Sequence, residues 1–163
     1  MISADVAADV ERPFVVGAAV FAVASAGVAL IQAITPTSRG WWLVAFFALV
    51  GGVSQWLLSA GLVATAGDAG IRAPRRAGTL VTAVLWNGGT LLVAASDLAE
   101  IAEGVLLGSA MLLAALFLFG HGLRAVFVAA RVTPLSIGYA LLLAVLAASV
   151  LIGAGLAGAL PGQ

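Results

Sequence analysis

The stretch WWLVAFFALVGGVSQWLLSAGLVAT, residues 41–65, contains no Asp, Glu, Lys, Arg or His. It exceeds the ~20 apolar residues that an α-helix needs to cross the hydrocarbon core of a bilayer. Four more apolar segments lie at 14–34, 79–96, 104–127 and 135–160, with no charged residue in the central part of any of them. Irregular backbone facing lipid would leave N–H and C=O groups unpaired, so each segment is expected to be a helix. A transmembrane β-barrel would need alternating segments of about ten residues, and these are absent. The expected fold is all-α: a polytopic integral membrane bundle of five transmembrane helices, forming one domain over residues 1–163.

Composition agrees. Hydrophobic residues are 63% of the 163 and charged residues 9%, where a soluble domain carries ~25% charged residues. Mean hydropathy is +1.20. These values exclude a water-soluble globule. Net charge is zero and the arginines are scattered, which argues against a nucleic-acid partner. The chain has no cysteine and no lysine, so it offers no disulfide, thiol nucleophile, cysteine metal site or Schiff-base amine. His121 is the only histidine, too few for a bis-His haem or a three-ligand zinc site within one chain. No Asp or Glu lies inside any segment, which argues against an intramembrane carboxylate relay. Catalytic triads, HExxH and P-loop patterns are missing. No catalytic residue, metal site or cofactor is expected, and the chain is not read as an enzyme.

Turn chemistry separates the segments. Residues 1–11 carry Asp5, Asp9 and Glu11 without a basic stretch, so the first segment reads as a retained helix rather than a signal peptide. Arg12-Pro13 is expected to open that helix, because proline suits a first turn. Thr35-Pro36-Thr37-Ser38 ends it. The loop 66–78 holds Asp68, Arg72, Pro74, Arg75 and Arg76. Asp97, Glu100 and Glu103 form an acidic link, and Thr133-Pro134 caps the fifth helix. The pattern allows helix four to run on past Arg124 to Arg131. Arg12, Arg72, Arg75, Arg76, Arg124 and Arg131 fall on one side of the membrane and Arg39 alone on the other. The positive-inside rule then places the N-terminus in the cytoplasm and the C-terminus outside, in the plasma (inner) membrane.

Few polar groups lie at mid-membrane. Gln55 follows Gly51, Gly52 and Ser54, and Gly51, Gln55 and Ser59 share one helix face. Asn87 sits in Leu85-Trp86-Asn87-Gly88-Gly89, where adjacent glycines weaken a helix and a local break would expose carbonyls. Either amide could line a solute path, or could hydrogen-bond a neighbouring helix as packing glue. Trp56 and Trp86 lie deeper than the interfacial belt in which Trp is usual, and either wall a constriction or fill interhelical gaps. Small-residue spacings, Ala18/Ala22/Ala26 and Gly104/Gly108, permit tight helix contact.

In gross layout over residues 12–155, and in the Gly51-Gly52-x-x-Gln55 motif of its second helix, the chain resembles the acetate–succinate permease family of small six-helix membrane proteins. Of the family's opening Asn-Pro-x-Pro-Leu-Gly motif it keeps Pro13 and Gly17. Leu123-Arg124 is similar to the end of the family's fourth helix, and the Leu-rich stretch 139–152 resembles its fifth helix. Leu85–Gly89 replaces its third-helix motif, and its sixth helix has no counterpart. The resemblance implies an oligomeric, channel-like permease for small carboxylates.

Two expectations follow. The chain is a passive permease for a small solute, with Gln55 and Asn87 on the path, Gly51, Gly52, Gly88 and Gly89 allowing close approach, and Trp56 and Trp86 narrowing it. Alternatively, it is a non-catalytic membrane subunit or scaffold. In both, its partners are the lipid bilayer and either further copies of itself or a membrane partner subunit.

Overall fold

Long runs of Ala, Leu, Val and Gly satisfy their backbone polar groups within helices, as a nonpolar solvent demands. The computed structural model describes residues 4–70, 76–128 and 132–159. It contains five long helices: α1 (Ala4–Ile34), α2 (Gly40–Asp68), α3 (Arg76–Leu98), α4 (Ala102–Val128) and α5 (Pro134–Ala159). Their apolar spans run from 22 to 29 residues, enough for each to cross a membrane. The chain is thus a multi-pass bundle of the expected all-α class. The expected continuation of α4 to Arg131 lies outside the described residues.

One boundary differs. α1 begins at Ala4, and Pro13 stands inside it instead of opening it. The turns before Pro13 are retained because they pack: Val10 and Phe14, one turn apart, are both buried.

Local chemistry fixes the reversals. Gln32 donates from Nε2 to the Thr37 carbonyl at 2.6 Å and accepts from Thr37 Oγ1 at 3.1 Å. Gly40 lies against this amide, where any β-carbon would overlap it. Between α3 and α4, Glu100 adopts φ 58°. Its N–H bonds the Asp97 carbonyl, and the Ile101 N–H reaches back to Ser96 at 2.8 Å, a Schellman closure of α3. Glu100 also pairs with Arg39 at 3.0 Å, joining the two loops at this end of the bundle. α5 starts with a reciprocal cap, Thr133 N–H to Ser136 Oγ at 2.9 Å and Ser136 N–H to Thr133 Oγ1 at 3.3 Å. Pro134 occupies its first turn, as the sequence suggests.

α3 and α4 form the central hairpin. A β-carbon on Gly89 would lie 2.8 Å from the Gly108 carbonyl oxygen, and one on Gly108 would lie 2.9 Å from that of Gly89. The two backbones therefore touch directly, the contact that small residues permit in membranes. α1 packs along α2 and α3 and reaches α4 through Phe14 and Phe119, whose rings lie 5.3 Å apart. α5 lies against α4 and the second half of α2, where the Tyr139 hydroxyl donates to the Leu58 carbonyl at 2.8 Å. α1 and α5 turn Val20, Val23, Leu30, Val145, Leu151 and Ile152 outward. Such an apolar exterior fits a lipid solvent.

Candidate functional site

Gln55 and Asn87 meet at the middle of the bundle. Asn87 Nδ2 donates to Gln55 Oε1 at 3.0 Å, and Gln55 Nε2 donates to Asn87 Oδ1 at 3.3 Å. The remaining donor of each amide returns to its own helix: Gln55 Nε2 to the Gly51 carbonyl at 2.7 Å, Asn87 Nδ2 to the Ala83 carbonyl at 2.7 Å. A primary amide has two N–H donors, so all four donors of the pair are used. Gln55 is 0% exposed.

α1 closes the pair from the third side. A β-carbon on Gly17 would lie 2.6 Å from both Asn87 Oδ1 and Gln55 Oε1. Gly17 therefore lays bare backbone over the two amides, and three helices converge on one polar point. The sequence gives little sign of this role for Gly17, because α1 is rich in small residues, chiefly Ala. Its only signal is its place in the partial resemblance.

The backbone beside Gln55 is irregular. Over Phe47–Ser54, α2 widens into a π-helical stretch. The Val50 carbonyl there accepts the Trp86 indole N–H at 3.1 Å. Gly51 lies against the Phe21 ring, which leaves no room for a β-carbon. Of the two alternatives at Gly88-Gly89, a local break and close packing, the second is found: α3 is continuous through both residues. Gly88 faces the Met111 methyl, and Gly89 meets the α4 backbone.

The two deep tryptophans part company. Trp86 is 1% exposed and tied to α2, whereas Trp56 is 54% exposed on the outer surface. Trp56 borders a shallow groove of about 550 Å³ between α1 and α2. Ala18, Ala22, Ala26 and Ala29 form one wall and Ala48 and Gly52 the other. Of the eight residues singled out in the sequence, Gln55, Asn87, Gly51 and Trp86 gather around the amide pair. Gly52 and Trp56 face the groove, and Gly88 and Gly89 serve the α3–α4 contact.

Compared with family models, curated proteins and solved structures, the chain matches none of them.

Proposed function

We propose that this chain is a non-catalytic membrane subunit whose α1–α2 face receives another transmembrane helix, from a partner or from a second copy. The groove of small residues beside Trp56 carries this reading. In lipid, helices gain little by hiding apolar area and associate where small residues let backbones approach. The amide pair supports it by its saturation. Gln55 and Asn87 spend every donor on each other and on their own helices, which suits a clamp holding the face rigid. The arginine pattern puts the N-terminus in the cytoplasm and the C-terminus outside, in the plasma membrane. Purification in mild detergent tests the proposal: the wild type should elute as a defined oligomer or with a stoichiometric partner. Ala22→Leu, which fills the groove, should release it. A wild type that is monomeric and alone would contradict the reading.

A specific observation favours a second reading. Widened helical turns recur at functional sites, and this one adjoins the mid-membrane amides. In a permease for a small solute such as a short carboxylate, the pair would part and lend its donors to the passing solute. The signature would be solute uptake lost on Gln55→Leu.

A further inference from the structure

A second cavity lies apart from the amide pair. It has a volume of about 430 Å³ and runs between α2, α3, α4 and α5 towards the end of the bundle that carries the Arg39–Glu100 pair. That size is typical of small-molecule sites. Trp86 lies at its inner end and Asp97 at its mouth. Eleven residues separate them on α3, so the slot is about 16 Å long at 1.5 Å per residue. Its walls are largely apolar, with Trp42 and Phe46 stacked at 4.9 Å near the mouth.

Two polar groups in this slot have no protein partner. Ser109 is 5% exposed and lines the cavity, and its hydroxyl makes no hydrogen bond among the described residues. No buried side-chain polar atom is both sealed from solvent and unbonded among the described residues, so this hydroxyl is reached from the cavity. The second group is the Asp97 carboxylate. Arg39 donates to the Asp97 backbone carbonyl but places its charge on Glu100. Among the described residues no cationic nitrogen lies within 4.0 Å of the Asp97 carboxylate.

We infer that this slot binds an amphipathic organic cation, an ammonium head on an apolar body. The head sits by Asp97 and the stacked Trp42 and Phe46 rings, and the body runs along the slot past Ser109 to Trp86. Opposite charge and aromatic faces both attract a weakly hydrated ammonium. An anion would meet the carboxylate directly. A purely apolar occupant would strip water from Asp97 and Ser109 and return no hydrogen bond or charge, which is unfavourable.

The test is calorimetric binding to the purified full chain in maltoside micelles. The probes are trimethyl(naphthylmethyl)ammonium and its uncharged carbon isostere, neopentylnaphthalene. The cation should bind the wild type at least tenfold more tightly than the isostere. Asp97→Asn should remove that preference while leaving isostere binding unchanged, and Asp97→Glu should restore it. Ser109→Phe, which fills the slot, should abolish binding of both. If Ser109→Phe melts below the wild type, Val93→Phe fills the slot from α3 and should do the same. Equal binding of cation and isostere, or a preference that survives Asp97→Asn, would overturn the inference. So would a stoichiometric phospholipid that remains bound to Asp97→Asn and is lost from Ser109→Phe, which would assign the slot to an acyl chain.

Discussion

Two glycine pairs flank the same amide contact, and they behave differently. Gly51-Gly52 lies in the widened part of α2, whereas Gly88-Gly89 lies in regular α3. Glycine weakens both helices equally in principle. The neighbours differ. In α2 the Val50 and Gly51 carbonyls have side-chain donors, the Trp86 indole and the Gln55 amide, so the backbone can loosen without orphaning an acceptor. In α3 no such donor reaches the glycines, and Gly89 instead presses on the Gly108 backbone, which requires a straight helix. Neither glycine nor a donor from its own helix decides the geometry, since the Gly61 and Gly78 carbonyls accept from Thr65 and Thr82 within regular helix; what sets residues 47–54 apart is the indole N–H that reaches Val50 from another helix.

Gly89→Val should have the largest effect. The added carbons would meet the Gly108 carbonyl and the Leu112 backbone as well as Leu112 Cγ, so the α3–α4 hairpin should lose about 3 kcal/mol. Unfolding monitored by circular dichroism measures this, and a loss as small as that of a surface change would break the comparison.

Removing the amide contact should matter less. Gln55→Leu leaves an Asn87 donor and its oxygen unpaired, at about 1–2 kcal/mol. Changing Asn87 to Leu as well should cost less than the sum of the single changes, with a coupling of about 1 kcal/mol. A double-mutant cycle by the same unfolding assay gives that coupling, and additive single effects would show that the pair does not hold the helices.

Trp86→Phe should sharpen the comparison most selectively. It deletes the donor to Val50, for about 1 kcal/mol, and should draw residues 47–54 back towards regular helix. Amide hydrogen exchange at these positions should slow relative to the wild type; faster exchange would mean that the widened turn does not depend on the indole. Gly88→Ala should change least. Only the flexible Met111 methyl stands in the way, and alanine gains about 1 kcal/mol of helix propensity. Its melting temperature should match or exceed that of the wild type.

The five helices were legible because lipid leaves an uncharged 20-residue segment so few choices. Gln55 and Asn87 stood out because amides are rare at that depth in this chain. Their meeting point could be named, but not its lid. Gly17 was hidden because bare backbone is recognised only by what it touches. The widened turn was hidden for a related reason: the contact that marks it, from the Trp86 indole, comes from another helix. Pro13 misled because its fit to a first turn outweighed the packing of Val10 one turn upstream. The slot under Asp97 needs four helices to exist at all, and no single segment carries its outline.

The most direct test of the account is uptake of labelled acetate into proteoliposomes holding the wild-type chain alone, beside the Gln55→Leu/Asn87→Leu variant. If the amide pair is a closed clamp, folded wild-type protein should give no flux above empty liposomes, and the double variant should differ only in stability. Acetate flux through the wild type that disappears in a folded double variant would contradict the clamp and make the amides the lining of a path.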